Sequence, residues 1–313
     1  MSVRDKLSAI GETMAIGDSE SSTEGSRIRE TIDAIIRVFR GERMAQIGGV
    51  ILLSFILVGL FAPMLAPYDP GEMNRGEDGE LLRLDAPSQD HPFGTTNLGR
   101  DILSQVMYGA RVSLIVGLAA AFVSTVIGTN VALIAGYYGG TVDNILMRLV
   151  DIAYGLPFLP FVIALVFIFG SSLWNIIFVI SLLMWRSSAR VIRSEVLSQK
   201  GRPYIESADA IGASNLRKMY IHILPNVLPL MVLYMAFGVA WAVIYEASIA
   251  FLGFGDPSMY SWGTIMFEAY STGAIRFAYW WVIPPGVCIM LFVMSVFFIG
   301  RSLEKITNPD LRH

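Results

Sequence analysis

PYIESADAIGASNLRKMYIHILPN, residues 203–226, is a charged, helix-prone stretch set between long apolar runs. Nothing in it is equipped to carry out a reaction, and nothing in it is apolar enough to sit in lipid. A segment of this kind between two membrane spans is suited to meeting a soluble partner. Arg202-Pro203 suits a helix start, because proline fits the first helical position. Glu206 then sits in the first turn, where the helix dipole favours an anion. Gly212 interrupts the helix, and Ser214 can cap a second one running through Arg217 and Lys218. Leu224-Pro225 closes the unit, with Pro225 and Pro229 in the opening turns of the next apolar run. The expected product is a compact helix-turn-helix elbow; the plainer alternative is an amphipathic loop between two spans.

The runs on either side set the class of the whole chain. Of its 313 residues 54% are hydrophobic and only 16% charged, against about a quarter charged in a soluble domain. Mean hydropathy is +0.57, and the missing charge is concentrated in long runs. The expected class is an all-α integral membrane protein. A net charge of −3 with no basic stripe interleaved with aromatics excludes nucleic acid as a natural partner. The one cysteine, Cys288, forms no internal disulfide, and His91, His222 and His313 lack metal-ligand spacing. The N-terminus lacks a charged-then-apolar pattern with a small-residue cleavage site, so no removable signal peptide is expected.

A helix needs roughly 20 apolar residues to cross a bilayer. The first span is expected over 44–68, followed by an acidic loop over 69–111 and a core of spans over 112–300. Within that core the second span covers 112–135. A long uncharged run is divided at Gly170-Ser171-Ser172 into a third span, kinked by Pro157 and Pro160, and a fourth. The fifth covers 226–252 and the sixth 282–300. Lys and Arg gather in the N-terminal arm (1–43), the 193–224 loop and the tail (301–313). The positive-inside rule therefore puts both termini and the 193–224 loop in the cytoplasm, and the 69–111 loop outside. Residues 1–25 read as a polar, disordered arm. Residues 27–43 place Ile28, Ile32, Ile35, Ile36 and Phe39 at helical spacing. They form either an amphipathic helix on the inner membrane face or a solvated lead into the first span.

No Gly-Lys pair occurs, since the four lysines follow Asp5, Gln199, Arg217 and Glu304. A phosphate-cradling P-loop needs that lysine, so this chain is not an ATPase, and no catalytic set is present. Charges inside spans are costly and face a cavity or a partner. Glu246 is a candidate pathway carboxylate for a solute amino group, or a carboxylate satisfied by helix packing. Arg148 and Asp151, three residues apart, suggest an intrahelical pair or a helix–helix contact. Tyr279, Trp280 and Trp281 suit an interfacial belt. Gly117, Gly128 and Gly136 give the second span a small-residue face for close packing within the subunit or against a second one.

The 203–226 stretch resembles the cytoplasmic loop of ABC importer permeases: Glu-Ala-Ala, three residues, Gly, nine residues, then Ile-x-Leu-Pro. Here Glu206, Ser207 and Ala208 lead to Gly212, and Leu224-Pro225 closes the loop. Ser207 replaces an alanine and His222 an isoleucine. Three further stretches are similar to the dipeptide, oligopeptide and nickel permease family, and to its C-type subunit. They are His91 to Asp101 with Tyr108 to Arg111, Glu246 to Gly255 with Ser261-Trp262-Gly263, and Trp280-Trp281 with Pro284-Pro285-Gly286 and the tail to Arg312. The departures are Thr96 and Arg301, where the family usually has Asp, and Gln105, where it has Arg.

The resemblance implies the six-helix type I permease fold, with residues 204–215 as a coupling helix. Glu206, Ser207, Ala208, Gly212, Ala213, Leu216, Leu224 and Pro225 would contact an ATPase. It implies a cell-membrane protein working with a homologous B-type permease, two cytoplasmic ATPase subunits that bind ATP and Mg, and an extracytoplasmic solute-binding protein. The chain itself would bind no cofactor, and the solute stays open among dipeptides, longer peptides, nickel complexes and others. The rival reading is a secondary transporter or channel needing no ATPase, with Glu246 and the kinked third span as its ion-site candidates.

Overall fold

A computed structural model describes residues 42–307. The polar arm over 1–25, the amphipathic helix expected over 27–43 as far as residue 41, and the tail from Asn308 lie outside the described residues. The described chain is helical. Its helices are α1 (Arg43–Leu65), α2 (Ile102–Tyr138), α3 (Gly140–Gly155), α4 (Phe158–Phe169), α5 (Leu173–Lys200), α6 (Pro203–Ala210), α7 (Leu224–Ile249), α8 (Trp262–Ser271) and α9 (Tyr279–Thr307). Five continuous helices are long and apolar enough to cross a membrane, or up to six spans if the bent pair α3–α4 is one.

Helix α2 organises the bundle. Its 37 residues extend about 54 Å and pack on α5, α7 and α1. The glycines on its buried face set how close those neighbours come. A Cβ on Gly117 would lie 2.9 Å from Val243 Cγ2, one on Gly128 2.6 Å from the Trp185 carbonyl, and one on Gly136 2.7 Å from Val196 Cγ1. The small-residue face is therefore spent inside the subunit, against α7 and α5.

Two corrections to the sequence reading follow from local physics. The second span starts at Ile102, ten residues earlier than expected, because Asp101 caps it: Asp101 Oδ2 accepts from the Ser104 amide and hydroxyl, both at 2.7 Å. The 69–111 loop therefore ends at residue 101. The third span is not a kinked rod but two helices meeting at 91°. Pro157 has no N–H to continue the ladder, and Leu156 before it is extended (ψ 128°). Of the two readings given for Asp151, the helix–helix contact holds: it pairs with Arg190 of α5 at 2.6 Å.

The segment 66–101 folds on itself at the start of α2. His91 Nδ1 lies 2.9 Å from Asp101 Oδ1, and its ring rests 4.7 Å from that of Tyr68. Gln105 Nε2 donates to the Pro70 carbonyl at 3.1 Å. Gly94 has φ +70°, and a Cβ there would meet the Asp85 carbonyl and stand 2.8 Å from Trp280 Cδ1. The His91–Asp101 stretch is thus a closed polar knot against the start of α9.

Candidate coupling surface

The elbow sits at the other end of α2. Helix α6 begins at Pro203, with Glu206 in its first turn. Its end is a Schellman turn: the Gly212 amide donates to the Asp209 carbonyl at 2.9 Å and the Ala213 amide to the Ala208 carbonyl at 3.0 Å. Gly212 takes φ +76°, the left-handed conformation this turn requires, and nothing lies within 4 Å of where its Cβ would be. Ser214 Oγ then accepts from the Arg217 amide at 3.3 Å.

From there the chain departs from the expected helix-turn-helix. The turn at Asn215–Arg217 runs through a π-helical stretch, Lys218–Ile223, directly into α7. Leu224-Pro225 does not end the unit, and the elbow is continuous with a 40-residue helical rod, Asn215–Phe254. The widened turn accounts for this: the Leu224 amide reaches back to the Met219 carbonyl, so the ladder changes register just before Pro225, which has no amide to give.

The elbow is rooted in the bundle. Ile205 and Ala208 of α6 are buried, and Ile205 belongs to one buried cluster with Met219 and Ile223 of the π stretch, Val227 of α7, Leu133 of α2 and Ile192 of α5. Lys218 is paired with Asp209, and its ammonium lies 5.6 Å from the Tyr137 ring. The Tyr137 hydroxyl and Asn215 Oδ1 are 2.8 Å apart. Tyr204 Oη donates to Gln199 at 2.9 Å, and burial raises its phenol above the ordinary value of 10.0.

What this root holds up is a set of exposed residues. Glu206, Ser207, Gly212, Leu216 and Pro225 are exposed, Ala213 and Leu224 half-buried, and Ala208 buried. Ile211, which sequence reasoning did not single out, is 83% exposed, and Leu216 64%. The tip of the elbow thus offers two large aliphatic side chains to solvent on either side of a Gly turn. Its position three residues after the buried Ala208, at the C-cap of α6, was the available signal.

Glu246 is apart from the elbow. It is 3% exposed, near the far end of α7. It is hydrogen-bonded to the Ser261 side chain, while its Oε2 has no partner among the described residues. Ser261 caps α8 in a capping box with Thr264. Beside them is a cavity of about 10 Å³, also lined by Leu173 and Asp256, enough for about one water molecule. In this conformation Glu246 binds α7 to the start of α8.

Comparison with known proteins accords with this geometry. Residues 128–312 match the family described as binding-protein-dependent transport system inner membrane component. Residues 32–87 match the N-terminal transmembrane domain of oligopeptide transport permease C. The chain is 35% identical over 300 residues to the oligopeptide transport system permease protein OppC of Bacillus subtilis, covering 95% of this chain and 94% of that one. It is 36% identical to the dipeptide transport system permease protein DppC of Haemophilus influenzae, covering 88% and 93%. A solved chain of the methionine ABC transporter MetNI, in inward-facing conformations, superposes with a TM-score of 0.52 at 18% identity. It covers 67% of this chain and 98% of that one, and this supports the fold alone.

Proposed function

The chain belongs to the binding-protein-dependent transport system inner membrane component family, as a C-type permease subunit of an ABC importer, and from that premise we propose that it carries peptides or related small solutes through the elbow-driven motion of its spans. The solute class is taken from its oligopeptide and dipeptide relatives. The partners in this reading are a homologous B-type permease, two ATPase subunits on the elbow side that hold ATP and Mg, and a solute-binding protein at the opposite end. The elbow then faces the cytoplasm, as do both termini. Family membership does not favour a secondary transporter or channel.

The observation that carries the coupling role is the elbow itself: an exposed aliphatic tip on a base that is buried and ion-paired. The helical rod runs from Asn215 through α7 without a break before Gly253, where φ is +90°, so force on the tip enters α7 without a hinge. Glu206, Ser207, Gly212, Ala213 and Leu216 meet the ATPase. Ala208, Leu224 and Pro225 hold the tip in register. A pathway role for Glu246 belongs to a state in which α8 parts from α7.

Replacing Gly212 with valine tests this. A β-branched side chain at φ +76° strains the Schellman turn by roughly 1–2 kcal/mol, and it projects into open space on the ATPase side. The expected result is an inserted, assembled transporter that hydrolyses ATP with little uptake. Uptake at the wild-type rate per ATP refutes the coupling role.

A further inference from the structure

Three arginines of α5 lie on one stripe, at positions 186, 190 and 193, and fasten α3 along its length. Arg193 pairs with Asp143 and Arg190 with Asp151. Arg186, the deepest rung, has no carboxylate among the described residues. Its Nη1 donates to the Ala153 carbonyl at 2.7 Å, the group that Pro157 leaves without a partner at the break of the third span. One guanidinium donor is used there. The charge is otherwise met only by aromatic faces: the Tyr154 ring at 4.8 Å and the Phe158 ring at 5.6 Å.

An arginine within a span is costly unless it faces a polar cavity or a partner charge. Two rungs of this ladder obey that rule with aspartates. The third is half-buried, with its guanidinium over aromatic rings. From Phe158 an aromatic shelf continues along α7: Phe158 stacks on Tyr245 at 3.8 Å, and Tyr245 on Trp241 at 5.8 Å. Trp241 is 46% exposed.

We infer that Arg186 is a carboxylate-binding subsite of the translocation pathway, and that the Phe158–Tyr245–Trp241 shelf beside it holds an apolar or aromatic side chain of the same solute. The ligand is a short peptide bound by its C-terminal carboxylate. Arginine suits this because its planar fork presents several N–H groups to one carboxylate while the Ala153 bond fixes its orientation. Stacked rings next to a bound carboxylate favour peptides ending in a large side chain. This inference rests on the peptide-importer reading above.

The test uses the complete transporter in proteoliposomes, with its binding protein saturated in turn by a peptide ending in phenylalanine and by its C-terminal amide. Saturation removes the binding protein's own preference. Wild type should transport the acid roughly tenfold faster than the amide, the order expected of one charge-assisted contact. R186Q should bring the two within about twofold by slowing the acid alone. R186K, which keeps the charge without the fork, should lie between, and it decides the matter if R186Q does not assemble. Three results overturn the inference: equal transport of acid and amide by wild type, an unchanged preference in R186Q, or an equal loss of both substrates. Wild type that transports neither peptide overturns the peptide-importer reading, and this inference falls with it.

Discussion

The two ends of α2 carry opposite violations of the usual surface rule. At its start, the 66–105 region buries six polar residues: His91, Thr95, Thr96, Asp101, Ser104 and Gln105 are all at most 5% exposed. At its end, the elbow exposes Ile211 and Leu216. Buried polar groups are tolerated only when partnered, and here most of them satisfy one another, through His91–Asp101, Asp101–Ser104 and Gln105–Pro70. Exposed aliphatic tips have no such internal remedy, and in the function proposed above they meet the ATPase. One end is largely satisfied within the chain, and the other, in the function proposed above, is completed by a partner.

That contrast can be broken first at the closed end. Gly94→Val combines a positive φ with a clash against the Asp85 carbonyl and Trp280. The expected loss is about 3–5 kcal/mol, read as a large fall in the thermal midpoint in detergent. Asp101→Ala removes the α2 cap and leaves His91 and Ser104 without their acceptor. It should cost about 3 kcal/mol by the same assay, and Asp101→Asn less. At the elbow root, Tyr137→Phe removes the hydroxyl that meets both Asn215 and Lys218, so a loss of about 1–2 kcal/mol is expected, with a fall in uptake per ATP. At the elbow tip, Ile211→Asp with Leu216→Asp should leave the midpoint within about 0.5 kcal/mol of wild type, since neither side chain is buried.

The contrast also separates what the amino-acid sequence reveals from what it does not. The elbow's Pro203 start, Gly212 turn and Ser214 cap were legible because each is a local rule about one residue type. The chain's break at Gly170 was legible for the same reason. Ile211 was not singled out because an isoleucine at a helix C-cap reads equally as core or surface, and only tertiary placement shows it pointing away. The passage through Leu224-Pro225 into α7 was missed because the register change at Met219 is invisible to spacing. The arginine ladder escaped for a related reason. The sequence offered Asp151 a neighbour at three residues' distance, Arg148, but Arg190 of the facing helix binds it at 2.6 Å. Whether a small-residue face serves a neighbour helix or a second subunit is likewise decided by packing, here in favour of α5 and α7.

The open end is the central claim, and retention of the ATPase tests it most directly. The permease carrying Ile211→Asp and Leu216→Asp is co-expressed with its ATPase subunits and purified beside wild type. Wild type should bring the ATPase down in full, and the variant should be inserted, equally heat-stable and stripped of ATPase. Full retention of the ATPase by that variant, with uptake undiminished, contradicts the account.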